Sequence, residues 1–176
     1  MDRKFIEKFG LSLPRLGYGC MRFPVKDDKI DFEYARDLIH HAYEKGINYF
    51  DTAYNYHGGE SETFLGKVLT EYKRDSYFLT SKLPVWKVKE EGDAEKLFNE
   101  QLEKCNTEYF DFYLLHSLNK KSIETVEKFN LYDFILKKKK EGKIKNIGFS
   151  FHDSNEVLQK FASAHQWDFI QLQINY

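Results

Sequence analysis

Four polar residues that could carry acid–base chemistry lie at or just after the ends of short apolar segments. They are Asp51, Lys82, His116 and a tyrosine in the run after Asp51, where Tyr54 and Tyr56 are both candidates. A phenol has a reference pKa of about 10, which is too high for efficient proton donation at neutral pH. A nearby ammonium lowers that pKa by favouring the phenolate. A carboxylate offsets the cost of burying the ammonium, and an imidazole can orient a substrate oxygen.

Each of these residues also has a simpler structural explanation. Asp51 can cap the turn that follows it, Lys82 can be a solvated charge, and His116 can be a hydrogen-bonded core residue. Tyr54 and Tyr56 can both be packing aromatics. The common position of these residues favours a catalytic role over the structural explanations, because the carboxyl ends of parallel strands meet at one edge of a sheet.

The segments that must position these side chains alternate between two hydrophobic patterns. Apolar residues at helical spacing predict helices over residues 31–45, 61–72, 93–105, 131–140 and 155–164. Short apolar runs between them predict strands over residues 17–21, 47–50, 77–80, 110–115, 144–149 and 169–174. An alternating stretch over residues 4–13 predicts a short N-terminal hairpin.

This alternation predicts an α/β protein with a mostly parallel sheet. A doubly wound sheet would be complete within the 176 residues of the chain. A (β/α)8 barrel needs about 250 residues, so a barrel would be represented here by only some of its units. In both architectures the functional residues gather at the carboxyl ends of the strands.

Composition excludes several classes of protein. The chain has 27 Lys and Arg against 28 Asp and Glu, and this balance argues against a nucleic-acid-binding protein. The sequence contains no apolar run of membrane-spanning length, and its N-terminus lacks the apolar stretch of a signal peptide, so we expect a cytoplasmic protein. Cys20 and Cys105 are too few for a disulfide framework and are expected to be free thiols.

The run from Phe50 to Gly66 resembles the signature of the aldo-keto reductase family, in which Asp stands five residues before the catalytic Tyr and is followed by Ser-Glu and Leu-Gly. Residues 80–83 are similar to the lysine strand of that family, and residues 111–116 to its histidine strand. Matches to its first, fifth and sixth strands lie at residues 16–21, at residues 147–150 and at Gln171. The resemblance therefore extends over nearly the whole chain, in order.

The resemblance implies a (β/α)8 TIM barrel of which about six βα units are present. Residues 1–14 would form the N-terminal hairpin, and residues 15–176 would hold strands one to six with helices one to five. Since the sequence stops within an apolar segment, we expect residues 1–176 to be an incomplete barrel, a fragment of a longer protein.

The resemblance also implies an oxidoreductase that reduces aldehydes or ketones with a nicotinamide cofactor. Tyr56 would be the general acid and Lys82 the group that lowers its pKa. Asp51 would anchor Lys82, and His116 would orient the carbonyl group of a small-molecule substrate.

Cofactor contacts implied by the resemblance come from Cys20, Met21, Asp51, Ser150 and Gln171. NADP(H) is the expected cofactor and NAD(H) the alternative, and no metal ligands are expected. The glycine pair after Tyr56 resembles a bacterial and archaeal branch that often has a C-terminal iron–sulfur region. An iron–sulfur cluster is expected only if such a region exists beyond this chain.

Two other functions remain open from the residues. A metal-dependent hydrolase on a barrel could use Asp51, His116 and His152 as ligands. A non-catalytic regulatory or remnant barrel is the second alternative, because a fold does not determine a function.

Overall fold

The computed structural model describes residues 1–174, and the part of the predicted barrel at Asn175 and Tyr176 lies outside the described residues. The helices are α1 Phe32–Glu44, α2 Glu60–Val68, α3 Asp93–Lys104, α4 Ser122–Lys128, α5 Leu131–Lys140 and α6 Asn155–Ala164. The strands are β1 Arg3–Ile6, β2 Leu11–Pro14, β3 Tyr18–Gly19, β4 Val25–Lys26, β5 Lys29–Ile30, β6 Tyr49–Asp51, β7 Phe78–Leu83, β8 Phe110–Leu118, β9 Ile144–Phe151 and β10 Phe169–Leu172.

Six strands form one parallel sheet in the order β3-β6-β7-β8-β9-β10, which is also their order along the chain. A doubly wound sheet reverses its strand order at a switch point, and this sheet does not. The sheet curls into a half-barrel with β3 and β10 at its two edges. The structure thus confirms the α/β class and the partial TIM barrel.

The helices form because their apolar residues recur on one face, which packs against the sheet. In α1 the buried residues are Ala35, Ile39 and Ala42, which lie on one stripe of the helix. The side chain of Asp31 accepts a hydrogen bond from the amide of Tyr34 and so caps the first turn. Each parallel crossover needs such a helix, so the helices cover the outer face of the curled sheet.

The N-terminal hairpin pairs β1 with β2 in antiparallel register, from Arg3 opposite Pro14 to Ile6 opposite Leu11. Phe9, in the turn between these strands, packs edge-on against Phe112 of β8 at 5.5 Å between ring centroids. The hairpin turn therefore contacts the aromatic side chains inside the half-barrel.

Three strands that carry candidate residues are longer than predicted. β7, β8 and β9 continue to Leu83, Leu118 and Phe151, respectively. Lys82 and His116 therefore lie within strands and not in the loops that follow them. The backbones of these residues are held by neighbouring strands, which limits the movement of their side chains.

Other predicted boundaries also differ from the structure. The strand predicted over residues 17–21 is reduced to β3, and the helix predicted over residues 61–72 ends at Val68, followed by a 3₁₀ turn at Leu69–Glu71. The two-residue strands β4 and β5 and the seven-residue helix α4 were not predicted, because elements this short show no clear hydrophobic period.

In the described part of the chain, no helix combines the length and apolar character that crossing a bilayer requires.

Candidate active site

The ammonium of Lys82 lies at the centre of the candidate site. Its Nζ donates hydrogen bonds to Oδ1 of Asp51 at 2.5 Å, to the carbonyl oxygen of Thr52 at 2.8 Å and to Oη of Tyr56 at 3.2 Å. An ammonium has three N–H donors, so these three acceptors satisfy all of them. Lys82 is only 1% exposed, and such a buried charge is tolerated when it is both paired and hydrogen-bonded.

The parallel sheet brings these residues together. Asp51 ends β6 and pairs with Thr80 of β7, two residues before Lys82. The carboxyl ends of the two strands therefore lie side by side, and the loop after β6 carries Tyr56 over them. The amide of Tyr56 donates to the carbonyl oxygen of Ala53 at 3.1 Å, which turns the chain sharply just after the strand.

The two candidate tyrosines point in different directions. The hydroxyl of Tyr54 contacts the carboxylate of Glu100 on α3 at 3.1 and 3.2 Å, and the ammonium of Lys104 lies 4.3 Å from its ring centroid. Burial, followed by the negative charge of Glu100, raises the pKa of Tyr54. The structure therefore places Tyr56, and not Tyr54, beside Lys82.

His116 lies near the end of β8, and its ring is 6.0 Å from that of Tyr56 and 5.1 Å from that of Trp86, measured between centroids. Burial, the positive charge of Lys82 and the neighbouring His152 lower the pKa of His116 to about 3. The imidazole is therefore neutral near pH 7. Its Nδ1 is buried and has no hydrogen-bond partner among residues 1–174.

A second group of contacts supports the strand that carries Lys82 from outside the half-barrel. Oε1 of the buried Glu62 accepts hydrogen bonds from Oγ of Ser81 at 2.6 Å and from Nε2 of Gln101 at 2.5 Å. The same Gln101 nitrogen lies 3.1 Å from the carbonyl oxygen of Lys82. Burial raises the pKa of Glu62, and the bonds from Ser81 and Gln101 act in the opposite direction. This network holds the backbone of β7 in place at Lys82.

Two predicted cofactor residues, Ser150 and Gln171, lie at the same mouth. Oγ of Ser150 accepts a hydrogen bond from the amide of Ser117 at 2.7 Å. Nε2 of Gln171 donates to Oδ2 of Asp51 at 3.1 Å. Oε1 of Gln171 is buried and has no partner in the described part of the chain, so it is available to a donor on a ligand.

Met21 and Cys20, the other two predicted cofactor residues, differ in position. Met21 is exposed and lines the mouth. Cys20 is fully buried, its amide donates to the carbonyl oxygen of Asp51, and its own carbonyl oxygen accepts from Oγ of Ser61. Cys20 thus packs in the core with its backbone polar groups occupied, and its contact with the cofactor stays a prediction.

These side chains surround a cavity of about 510 Å³ at the carboxyl ends of the strands, lined by Met21, Arg22, Asn55, Tyr56, Lys82, Trp86, His116, Ser117, Ser150, His152, Gln171, Leu172 and Gln173. Sequence reasoning did not single out Trp86, which is 42% exposed. Its signal is a large aromatic residue shortly after the lysine strand, and exposed aromatics of this kind are typical of binding sites.

The ligand set of the metal-hydrolase hypothesis is not assembled. Asp51 is occupied by Lys82 and Gln171. Within residues 1–174, no group of three or more His, Cys, Asp or Glu side chains is arranged to hold a metal ion. The structure therefore does not bring Asp51, His116 and His152 together as ligands.

Comparison with known proteins gives a consistent result. The model of the aldo/keto reductase family matches residues 15–176. The protein named Probable aldo-keto reductase 1, from Glycine max, is 27% identical over 175 residues, a match that covers 93% of this chain and 49% of that protein. This chain thus spans about half the length of that curated relative.

Solved structures of the same family share the fold. An aldo-keto reductase from Bacillus halodurans, in its holo form, is 27% identical with a TM-score of 0.77, and the match covers 99% of this chain and 58% of that one. An aldo-keto reductase from Klebsiella pneumoniae in complex with NADPH is 25% identical with a TM-score of 0.65, and the match covers 90% of this chain and 53% of that one.

Proposed function

This chain belongs to the aldo/keto reductase family, and we propose that it carries the acid–base residues of an NAD(P)H-dependent reductase of aldehydes or ketones. The observation that carries this proposal is the hydrogen bond from Lys82 to Oη of Tyr56 within a cavity large enough for a small molecule. The chain spans about half the length of that curated relative. The reductase activity is therefore proposed for the whole protein, and the acid–base residues are the part that this chain supplies.

Tyr56 is the proposed general acid. Because Lys82 donates its N–H to the phenol oxygen, the O–H of Tyr56 must point elsewhere, and the cavity is the open direction. The ammonium stabilises the phenolate that is left after proton transfer, which lowers the barrier to donation. Asp51 keeps the ammonium in place and compensates its burial.

His116 is the proposed orienter of the substrate carbonyl group. With a pKa of about 3 its ring is not an imidazolium at neutral pH, so it does not compete with Tyr56 as the acid. A neutral imidazole can still donate one N–H to a carbonyl oxygen. The aromatic ring of Trp86 beside it adds an apolar wall for the substrate.

The residues present fit a nicotinamide carboxamide. The unpartnered Oε1 of Gln171 can accept from an amide nitrogen, and the hydroxyl of Ser150 retains its own proton for donation. When bound, the reduced nicotinamide supplies the hydride that the chain itself lacks. Gln171, Ser150 and Met21 are the proposed contacts. The NADPH in the Klebsiella pneumoniae structure supports NADP(H), with NAD(H) as the alternative.

The test is a comparison of two matched variants of the purified whole protein. We expect NADPH oxidation in the presence of small aldehydes, and we expect Tyr56→Phe to lower its turnover on the order of 10²- to 10⁴-fold. Tyr54→Phe makes the same chemical change on a residue that faces α3, and should leave turnover within about twofold. Binding titrations with NADPH and NADH identify the cofactor. Equal turnover in wild type and Tyr56→Phe would refute the acid role, and cofactor binding without turnover would favour the regulatory alternative.

A further inference from the structure

His57 directly follows Tyr56 and contacts a different part of the chain. Its Nε2 accepts a hydrogen bond from the backbone amide of Phe23 at 2.8 Å, and the two rings lie 5.6 Å apart between centroids. This bond joins the loop after β6 to the segment after β3. The acid–base arrangement described above does not use His57.

The segment held by this bond forms one side of the cavity. Met21 and Arg22, immediately before Phe23, line the mouth and are both exposed. Phe23 itself is 4% exposed and packs edge-on against Phe64 of α2 at 4.6 Å. Phe23 is therefore the buried anchor of this segment, and its amide is satisfied by the side chain of His57.

The backbone around His57 is held in an unusual conformation. His57, Gly58 and Gly59 have φ angles of +51°, +64° and +102°. The two glycines adopt this region freely, but a histidine with positive φ is uncommon and strained. Such strain persists only where the surrounding contacts maintain it, and here it aims the imidazole at Phe23.

We propose that His57 is a positioning residue that holds the Met21–Arg22 side of the cavity in a defined place relative to Tyr56. The inference rests on the proposed function, because the cavity matters as the reaction site. Only a neutral imidazole can accept the bond at Nε2, so the ring proton must reside on Nδ1. A protonated ring has two donors, loses the acceptor and releases the amide of Phe23.

The groups around the ring determine when this release occurs. Burial lowers the pKa of His57, and the nearby carboxylate of Glu60 acts in the opposite direction. Glu60 also accepts from the amide of Ile30 on β5. Arg22, next to Phe23 in the chain, and Lys29, which lines a groove with Glu60, are the positively charged residues on these neighbouring segments. The bond should therefore be present at neutral pH and lost in acid, below the ordinary histidine pKa of about 6.5.

Amide hydrogen exchange of Phe23 tests the bond in the full chain. In wild type we expect the protection factor of this amide to fall about tenfold between pH 7.5 and acidic pH. His57→Leu should show the low value at every pH. In His57→Gln the amide oxygen lies near the position of Nε2 and does not titrate, so protection should persist in acid. Both variants have unbranched Cβ atoms and share the strain at this position.

Order parameters of the Met21 and Arg22 amides test the positioning. We expect values of about 0.85 in wild type to fall below about 0.6 in His57→Leu and to recover in His57→Gln. If turnover is measurable, KM should rise several-fold in His57→Leu while Tyr56→Phe lowers kcat. Unchanged Phe23 protection in His57→Leu would overturn the proposed bond, and unchanged order parameters would overturn the positioning role. Neither amide protection nor the order parameters depend on turnover. A protein without reductase activity would therefore refute the proposed function and leave the role of His57 to be tested by these two measurements.

Discussion

Gln171 and Asp51 are joined across the hollow of the half-barrel by a hydrogen bond of 3.1 Å, although they lie 120 residues apart in the chain. The other oxygen of the Asp51 carboxylate accepts from Lys82. The carboxylate is thus held from two sides, by a residue of the edge strand β10 and by the buried ammonium. The bond links the last strand of the sheet directly to the proposed acid–base residues.

Replacing Gln171 by Leu should remove this link. We expect the free energy of unfolding to fall by about 1 kcal/mol, the usual net value of one hydrogen bond, and the affinity for NADPH to fall with it. Urea denaturation and cofactor titration measure the two effects. Gln173→Leu, an exposed residue of the same cavity, is the control and should leave the free energy of unfolding nearly unchanged. Equal losses in both variants would show that the contact with Asp51 does not contribute.

Asp51→Asn should leave the ammonium of Lys82 buried without its counter-charge. Because Lys82 is only 1% exposed, we expect a loss of about 3 kcal/mol in the free energy of unfolding. Urea denaturation of the single variant measures this loss. The double variant Asp51→Asn, Lys82→Met removes the charge as well and should recover part of the stability. A double variant no more stable than the single one would contradict the charge-burial explanation.

The low pKa of His116 predicts a loss of stability in acid. The unfolded chain binds a proton at this residue below about pH 6.5, whereas the folded chain resists it until about pH 3. Stability should therefore be complete above pH 6.5 and fall as pH decreases, at up to about 1.4 kcal/mol per pH unit. Urea denaturation at pH 7 and pH 5 measures the difference. In His116→Gln this part of the pH dependence should disappear.

The control for that experiment is His41→Gln, which makes the same substitution at an exposed histidine of α1. NMR titration provides a direct check, because the ring signals of His116 should stay constant from pH 8 to about pH 4. A ring that titrates near pH 6.5 would contradict both the burial and the neutral role proposed for His116.

Gly66 is required where α2 meets the end of α3. A Cβ on Gly66 would lie 2.1 Å from the carbonyl oxygen of Lys104 and 2.7 Å from the carbonyl carbon of Cys105. Since both neighbours are backbone atoms, the helices must move apart, and we expect Gly66→Ala to cost about 3 kcal/mol by thermal or urea unfolding. Gly19→Ala, whose Cβ would meet nothing within 4 Å, is the control and should be nearly neutral. Similar stability of the two variants would contradict this close contact.

The local parts of this structure were predictable from the sequence. The helices over residues 131–140 and 155–164 have the predicted boundaries, because a helical hydrophobic period reports which face is buried. Asp51, Lys82 and His116 were identified because polar residues at the ends of apolar strands stand out against their neighbours. The sequential βα pattern also indicated a parallel sheet, which the structure contains.

What the residue pattern by itself left open, and the tertiary structure decided, is where the side chains point. Tyr54 and Tyr56 are the same residue type in the same loop, yet one contacts Glu100 and the other Lys82. Cys20 follows the first strand as expected but packs in the core. The physical reason is that direction depends on partners distant in the chain, as the bonds of His57 to Phe23 and of Gln171 to Asp51 show. Sequence patterns report burial and local geometry, and they carry no information about which distant group a side chain meets.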